Sequence, residues 1–196
     1  MIGGMRLSLL ALAACGPMYA APDPVPVPAP APVPAPGPVP APVAAPAAAP
    51  TGIPAAFVAE HNAVRAKHCA GPLTWSPKLA QYAQRWADTL KAKGCMFGHS
   101  NGNNYGENLA AGTVGALDPK GTVDYWYGEI KDYKFPNGGF SMTTGHFTQL
   151  VWRATTQVGC GHAVCNGNDV WVCEYDPPGN VDTEYRSNVL PTSCHR

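Results

Sequence analysis

The chain has 196 residues, with 13 lysines and arginines against 13 aspartates and glutamates, a formal net charge of zero and only 13% charged residues. That balance, without a run of either sign, excludes the basic field a nucleic-acid binder needs and gives no electrostatic hold on a polyanion or an anionic membrane surface.

Composition divides the chain into unlike parts. Arg6 precedes an apolar run over residues 7–14, too short for the roughly 20 helical residues that cross a bilayer, so residues 1–15 read as an export signal. Leu12-Ala13-Ala14-Cys15-Gly16 matches the bacterial lipobox, in which small residues precede a cysteine that is lipidated and becomes the new N-terminus. The alternative is an ordinary signal peptide cut near Ala20 or Ala21, which would leave Met18 or Tyr19 where a small residue is wanted. Residues 16–50 read as a tether, and from Pro22 to Pro50 proline alternates with alanine or valine, a composition that buries no core and favours extended polyproline II. At about 3.1 Å per residue such a segment reaches on the order of 90 Å, which suits a tether, although a linker with no positional role has the same composition. Residues 51–196 are mixed, aromatic and cysteine-bearing, and long enough to bury a core of their own.

Within that part the spacing predicts a first helix over 51–67, with Ile53, Phe57 and Val64 on one face and Pro54 in the first turn. Ser76 and Pro77 read as an N-cap and first helical residue, and Leu79, Tyr82, Trp86 and Leu90 carry a second helix to Gly94. Residues 96–104 are expected to supply a strand. Asp118 to Tyr133 predicts a third helix, weakened by Gly121 and Gly128, and Thr144 is expected to cap a short fourth over 145–153. Residues 158–165 and 170–175 are apolar-rich runs around Asn166-Gly167-Asn168-Asp169, a hairpin signal.

Seven cysteines become six once Cys15 is assigned to the leader, and an even number behind an export signal implies three disulfides in an oxidising compartment. With no CxxC pair, a cysteine zinc cluster is not indicated. Cys160 and Cys165 lie five residues apart and point to opposite faces of one strand. A register placing Cys165 opposite Val170 sets Cys173 diagonal to Cys160 on a shared face, which predicts a Cys160–Cys173 bridge and sends Cys165 elsewhere.

Four segments recur in company: HNAVR from His61, YGENL from Tyr105, GHFTQLVWRAT from Gly145 and CEYDPPGN from Cys173. In kind, order and spacing they resemble the signature segments of the CAP superfamily: the cysteine-rich secretory proteins, antigen 5 and pathogenesis-related 1 proteins. The resemblance runs from about Ile53 to the C-terminus. It implies an α+β fold, a three-layer α-β-α sandwich around a small antiparallel sheet, which agrees with the element pattern. It implies a bridge between Cys95, in Lys93-Gly94-Cys95, and Cys165, as in plant members, leaving Cys69 and Cys194 for each other. The further bridge of those plant proteins is absent here, because residues 135–144 contain no cysteine.

Residue by residue, the resemblance also places His99, Glu107, Glu129 and His146 in one cleft. Two imidazoles and two carboxylates suit a divalent metal such as zinc held on His99 and His146, an acid–base set, or a hydrogen-bonded cluster without either role. His61 is expected to be structural; His68, His162 and His195 carry no motif and are expected at the surface or beside disulfides. Residues 133–140, aromatic and glycine-rich, lie where fungal relatives carry a sterol-binding loop, although these rings suit packing on the sheet equally well. Glu174 stands where the family commonly has a small polar or basic residue. No HExxH or GxSxG is present, so the familiar zinc-protease and serine-hydrolase sites are missing. The expectation is therefore a monomeric extracytoplasmic binding module for a lipid, sterol or cell-wall component. The alternatives are a zinc-dependent hydrolase using the same cleft and a disulfide-stapled interaction domain.

Overall fold

A computed structural model of the protein describes residues 50–101 and 104–194. The export signal, Cys15, residues 16–49 of the tether and His195 lie outside the described residues.

The first helix, α1, spans Gly52–Lys67 and buries Phe57, His61, Val64 and Arg65, while Ile53, expected on the same face, is exposed in the first turn. A two-residue strand, β1 (Thr74–Trp75), follows; no period-2 pattern exists in so short an element, so the sequence gives no sign of it. Helix α2 (Pro77–Ala92) starts as predicted, with Ser76 Oγ accepting from the Leu79 amide at 3.4 Å and proline in the first turn. Leu79, Ala83, Ala87 and Leu90 form its buried stripe.

Among the described residues of 96–104, where a strand is expected, none forms. Met96 and Phe97 are exposed, and the strand is instead β2, Gly106–Thr113. Its sequence, GENLAAGT, has little intrinsic β preference; what makes it a strand is pairing along its whole length with β4, Asn168–Asp176. The third helix is split at Gly128 into α3 (Pro119–Tyr127) and a 3-10 turn over Gly128–Asp132. Helix α4 covers only Gly145–Leu150, and Thr144 makes no capping bond to it. A short α5 (Tyr185–Asn188) was not foreseen.

The hairpin joins β3 (Gln157–Cys165) to β4 through Asn166 and Gly167, both with positive φ, 49° and 77°. Such a two-residue turn matches strand twist, and it sets Cys165 opposite Asn168, not Val170. The register is thus two residues from the expected one. Because two is the period of a strand, the faces are unchanged, and Cys160 stands directly opposite Cys173. All three disulfides have the expected partners: Cys69–Cys194, Cys95–Cys165 and Cys160–Cys173.

The sheet runs β1-β3-β4-β2, antiparallel except for the β1–β3 pair. On one face α2 packs its small-residue stripe against Leu109, Ala163, Val170 and Val172. On the other, Phe57, Trp126, Phe147, Trp152, Trp171 and Tyr175 form the larger core beneath α1, α3 and α4. This is the three-layer sandwich. Close approach of α2 depends on Gly159 and Gly161, where an added Cβ would lie 2.2 Å from the Ala80 nitrogen and 2.3 Å from the Gln84 nitrogen.

Candidate functional site

The HNAVR segment builds the scaffold behind the site. Arg65 is fully buried; it donates to the carbonyls of Gly71, Leu150, Trp152 and Thr155 at 2.8–3.1 Å. Four acceptor dipoles keep it charged, although burial lowers its pKa to about 10. Asn62 pairs with both backbone groups of Leu73. His61 is structural, as expected: Nδ1 donates to the Phe57 carbonyl at 2.7 Å and Nε2 accepts from the Tyr175 hydroxyl at 2.9 Å. Burial lowers its pKa to about 4, so it is neutral at physiological pH. His68, beside Cys69, is also fully buried, bonded to the Leu190 carbonyl and the Tyr127 hydroxyl. Its place is set by the C-terminal segment folding back over α1, which local pattern does not reveal. His162 is partly exposed and pairs with Asp169 at 2.8 Å.

The four expected cleft residues come from four different segments. His99 lies on the loop after α2, Glu107 is the second residue of β2, Glu129 is in the 3-10 turn and His146 opens α4. They are organised as two histidine–carboxylate pairs. His99 Nδ1 meets Glu107 Oε1 at 2.6 Å, and the Ser100 amide donates to the same oxygen at 2.9 Å. His146 Nδ1 meets Glu129 Oε1 at 2.7 Å, while Glu129 Oε2 accepts the His146 and Phe147 amides at 3.0 Å. Glu129 therefore supplies the cap that Thr144 was expected to give. Each carboxylate fixes its partner's Nδ1 as the proton-bearing nitrogen, which leaves Nε2 a lone pair. The Glu107 hydrogen bond raises the pKa of His99 despite partial burial.

His99, Glu107 and His146 line one pocket together with Asn108, Phe140, Met142, Gly145 and Asn180. Glu129 is not in that lining; it stands behind His146. The volume is about 160 Å³, well below the roughly 300–1,000 Å³ of pockets for drug-sized ligands. Asn180 bonds the Gly145 carbonyl and Thr148, holding the PPGN turn against α4. Asn108 donates to the His146 carbonyl at 3.1 Å.

Loop 133–144 divides its aromatic residues. Tyr133 packs on Phe135 with ring centroids 4.8 Å apart and on Phe147 at 5.5 Å, inside the core. Phe140 and Met142, 55% and 81% exposed, form the apolar rim of the pocket. Phe140 closes the aromatic segment 133–140, whereas nothing in the sequence marks Met142, Asn108 or Asn180 as pocket-lining residues.

As a metal site the pocket offers two imidazole nitrogens. Among the described residues no group of three or more histidine, cysteine, aspartate or glutamate side chains is placed to hold an ion. Two nitrogens with carboxylates behind them fit an exchangeable divalent ion that keeps several waters, not a closed structural zinc.

The fold and paired histidines define a class, and comparison with known proteins identifies it. Residues 58–175 match the family described as CAP, the cysteine-rich secretory protein family. The chain belongs to that family. It is 48% identical over 139 residues to Protein PRY2 of Saccharomyces cerevisiae, covering 69% of this chain and 40% of that protein. It is 40% identical over 129 residues to a pathogenesis-related protein, PR-1 type, of Sambucus nigra, covering 63% and 75%. The chain spans about half or less of the length of its fungal relatives. Among solved structures it shares its fold with NaASP2 with Zn2+, at a TM-score of 0.55 and 24% identity over 66% of this chain and 81% of that one.

Proposed function

We propose that this CAP domain is an extracytoplasmic binding module whose cleft takes a divalent metal such as zinc through Nε2 of His99 and of His146. The observation that carries this reading is the matched pair of Nδ1–carboxylate bonds, which present two basic nitrogens to one pocket. A bound ion would supply a positive centre for an anionic or carbonyl group of a ligand. The exposed Phe140 and Met142 beside it give a lipid, sterol or cell-wall component an apolar surface. A pocket of about 160 Å³ suits an ion or a polar headgroup, so the body of a sterol would lie along the rim. Extracytoplasmic placement is supported by the three disulfides.

Hydrolysis is the weaker reading. Both oxygens of Glu129 are taken by three donors, and Glu107 gives one oxygen to His99 and Ser100 while the other is buried. Neither is free to take a proton from a bound water.

Calorimetric titration with zinc tests the proposal. Binding should be lost in His99→Ala/His146→Ala, while Glu107→Gln and Glu129→Gln weaken it roughly 10–100-fold, as expected of carboxylates that orient metal-bound histidines. Equal zinc affinity in the double variant and the wild type would refute it.

A further inference from the structure

Glu174 is fully buried and stands directly opposite Glu107 across the β2–β4 ladder. Opposed residues on neighbouring strands share a face with Cβ atoms about 4.5–5.5 Å apart. Glu107 gives Oε1 to His99 and Ser100. Its Oε2 and both oxygens of Glu174 are buried and, as carboxylate oxygens, meet no donor.

Among the described residues no cation acts on Glu174. On β3 its neighbour is Gly159, and the first turn of α2 lies over that glycine. The charge of that turn, Lys78, rests on the Tyr105 ring. The next residue of β4, Tyr175, turns its hydroxyl to His61 and Asn108. Two carboxylates in such a place cannot both be ionised. One proton resolves the conflict, replacing an acceptor–acceptor contact with an O–H···O bond of the charge-assisted kind.

We propose that Glu174 is a buried carboxylic acid that donates its proton in a hydrogen bond to Glu107 and thereby positions the His99 imidazole. The chain runs from the Glu174 hydroxyl to Glu107 Oε2, and from Glu107 Oε1 to the His99 Nδ1 proton. Glu107, held on both oxygens, becomes a fixed acceptor for a histidine whose side chain is 58% exposed and whose loop lies outside the sheet. Burial first, and then the neighbouring Glu107, push the Glu174 carboxyl up to about 9. Burial also opposes ionisation of Glu107, but hydrogen bonds from His99, Glu174 and Ser100 outweigh it and hold that carboxyl below its usual range. Glu174 is thus a positioning residue, and its role holds whether or not a metal occupies the cleft.

Unfolded, Glu174 ionises near its ordinary value of 4.5, whereas folded it keeps its proton to about 9. Its contribution to stability is therefore complete below about 4.5 and declines as pH rises toward 9.

The test uses the full disulfide-bonded chain. Infrared difference spectra at pH 7 should show a protonated-carboxyl stretch that Glu174→Gln removes and that fades in the wild type as pH passes about 9. The melting temperature should fall more steeply between pH 5 and 9 in the wild type than in Glu174→Gln, whose amide donates at every pH. Nitrogen NMR should find His99 protonated on Nδ1 in the wild type and in Glu174→Gln, and a mixture of tautomers in Glu174→Leu. Absence of the Glu174 carboxyl signal at pH 7 would overturn the proposal, as would a His99 tautomer unchanged in Glu174→Leu. Should that variant fail to fold, the infrared comparison of wild type with Glu174→Gln decides alone.

Discussion

Replacing Gly161 by alanine adds one methyl group where the structure has no room for it. The new Cβ would lie 2.3 Å from the nitrogen and 2.4 Å from the Cα of Gln84, and 2.6 Å from the carbonyl carbon of Ala83. Ordinary contact begins near 3.4 Å, and these atoms are helix backbone, so α2 must withdraw by about 1 Å along that stretch. Withdrawal would also pull Gln84 from its paired bonds to the His162 backbone, at 2.8 and 3.0 Å. Overpacking of this kind costs about 3 kcal/mol or more when backbone has to move. Gly112→Ala is the control, because its Cβ would meet only Leu117 Cδ1 at 2.8 Å and Cγ at 2.9 Å, a side chain able to turn away at a cost of about 1 kcal/mol. Urea unfolding of both variants with disulfides intact measures the difference. A Gly161→Ala midpoint within about 1 kcal/mol of wild type, or no lower than that of Gly112→Ala, would refute the account of how α2 seats on the sheet.

Other expectations follow from buried polar groups and the leader. His61, held neutral with its pKa lowered to about 4, must charge on unfolding below its ordinary 6.5; stability should drop by about 3 kcal/mol as pH falls from 6.5 to 4, and a His61→Phe variant that still folds should lack that limb in a melting series. Arg65→Met strips donors from the carbonyls of Gly71, Leu150, Trp152 and Thr155, and denaturant titration should show a loss of about 3 kcal/mol or more, with Arg65→Lys recovering only part. If Cys15 carries a lipid, Cys15→Ala should move the protein from the membrane fraction to the soluble one, whereas wholly soluble wild type beginning at Ala21 or Pro22 would count against the anchor.

The parts of this structure written in the sequence are those fixed by local chemistry or by parity. Ser76-Pro77 declares the start of α2, and the five-residue spacing of Cys160 and Cys165 determines which face each takes. The hairpin turns at Asn166-Gly167 within the expected segment, and its register differs from the expected one by two residues, a difference that parity forgives. Strand β2 was missed because its glycines and alanines become a strand only by pairing with β4. For the site, the family resemblance assigns His99, Glu107, Glu129 and His146 to one cleft, and three of them line one pocket with Glu129 behind it, but the pairing of each histidine with a particular carboxylate depends on loops meeting in space. Glu174 stood out as an unusual residue in its motif. What makes it consequential is Glu107 across the ladder, and no spacing along the chain expresses that.

The Cys69–Cys194 bridge joins the end of α1 to the C-terminal segment across a sequence separation of 125. The backbone between them is a covalent ring that contains the whole sheet and every pocket residue. A single proteolytic cut in that interval, for instance in the exposed stretch around Met142, opens the ring without releasing a fragment. The clipped halves remain one molecule until both bridges that span the cut, Cys69–Cys194 and Cys95–Cys165, are reduced, so loss of a peptide on a gel would register reduction as well as cleavage.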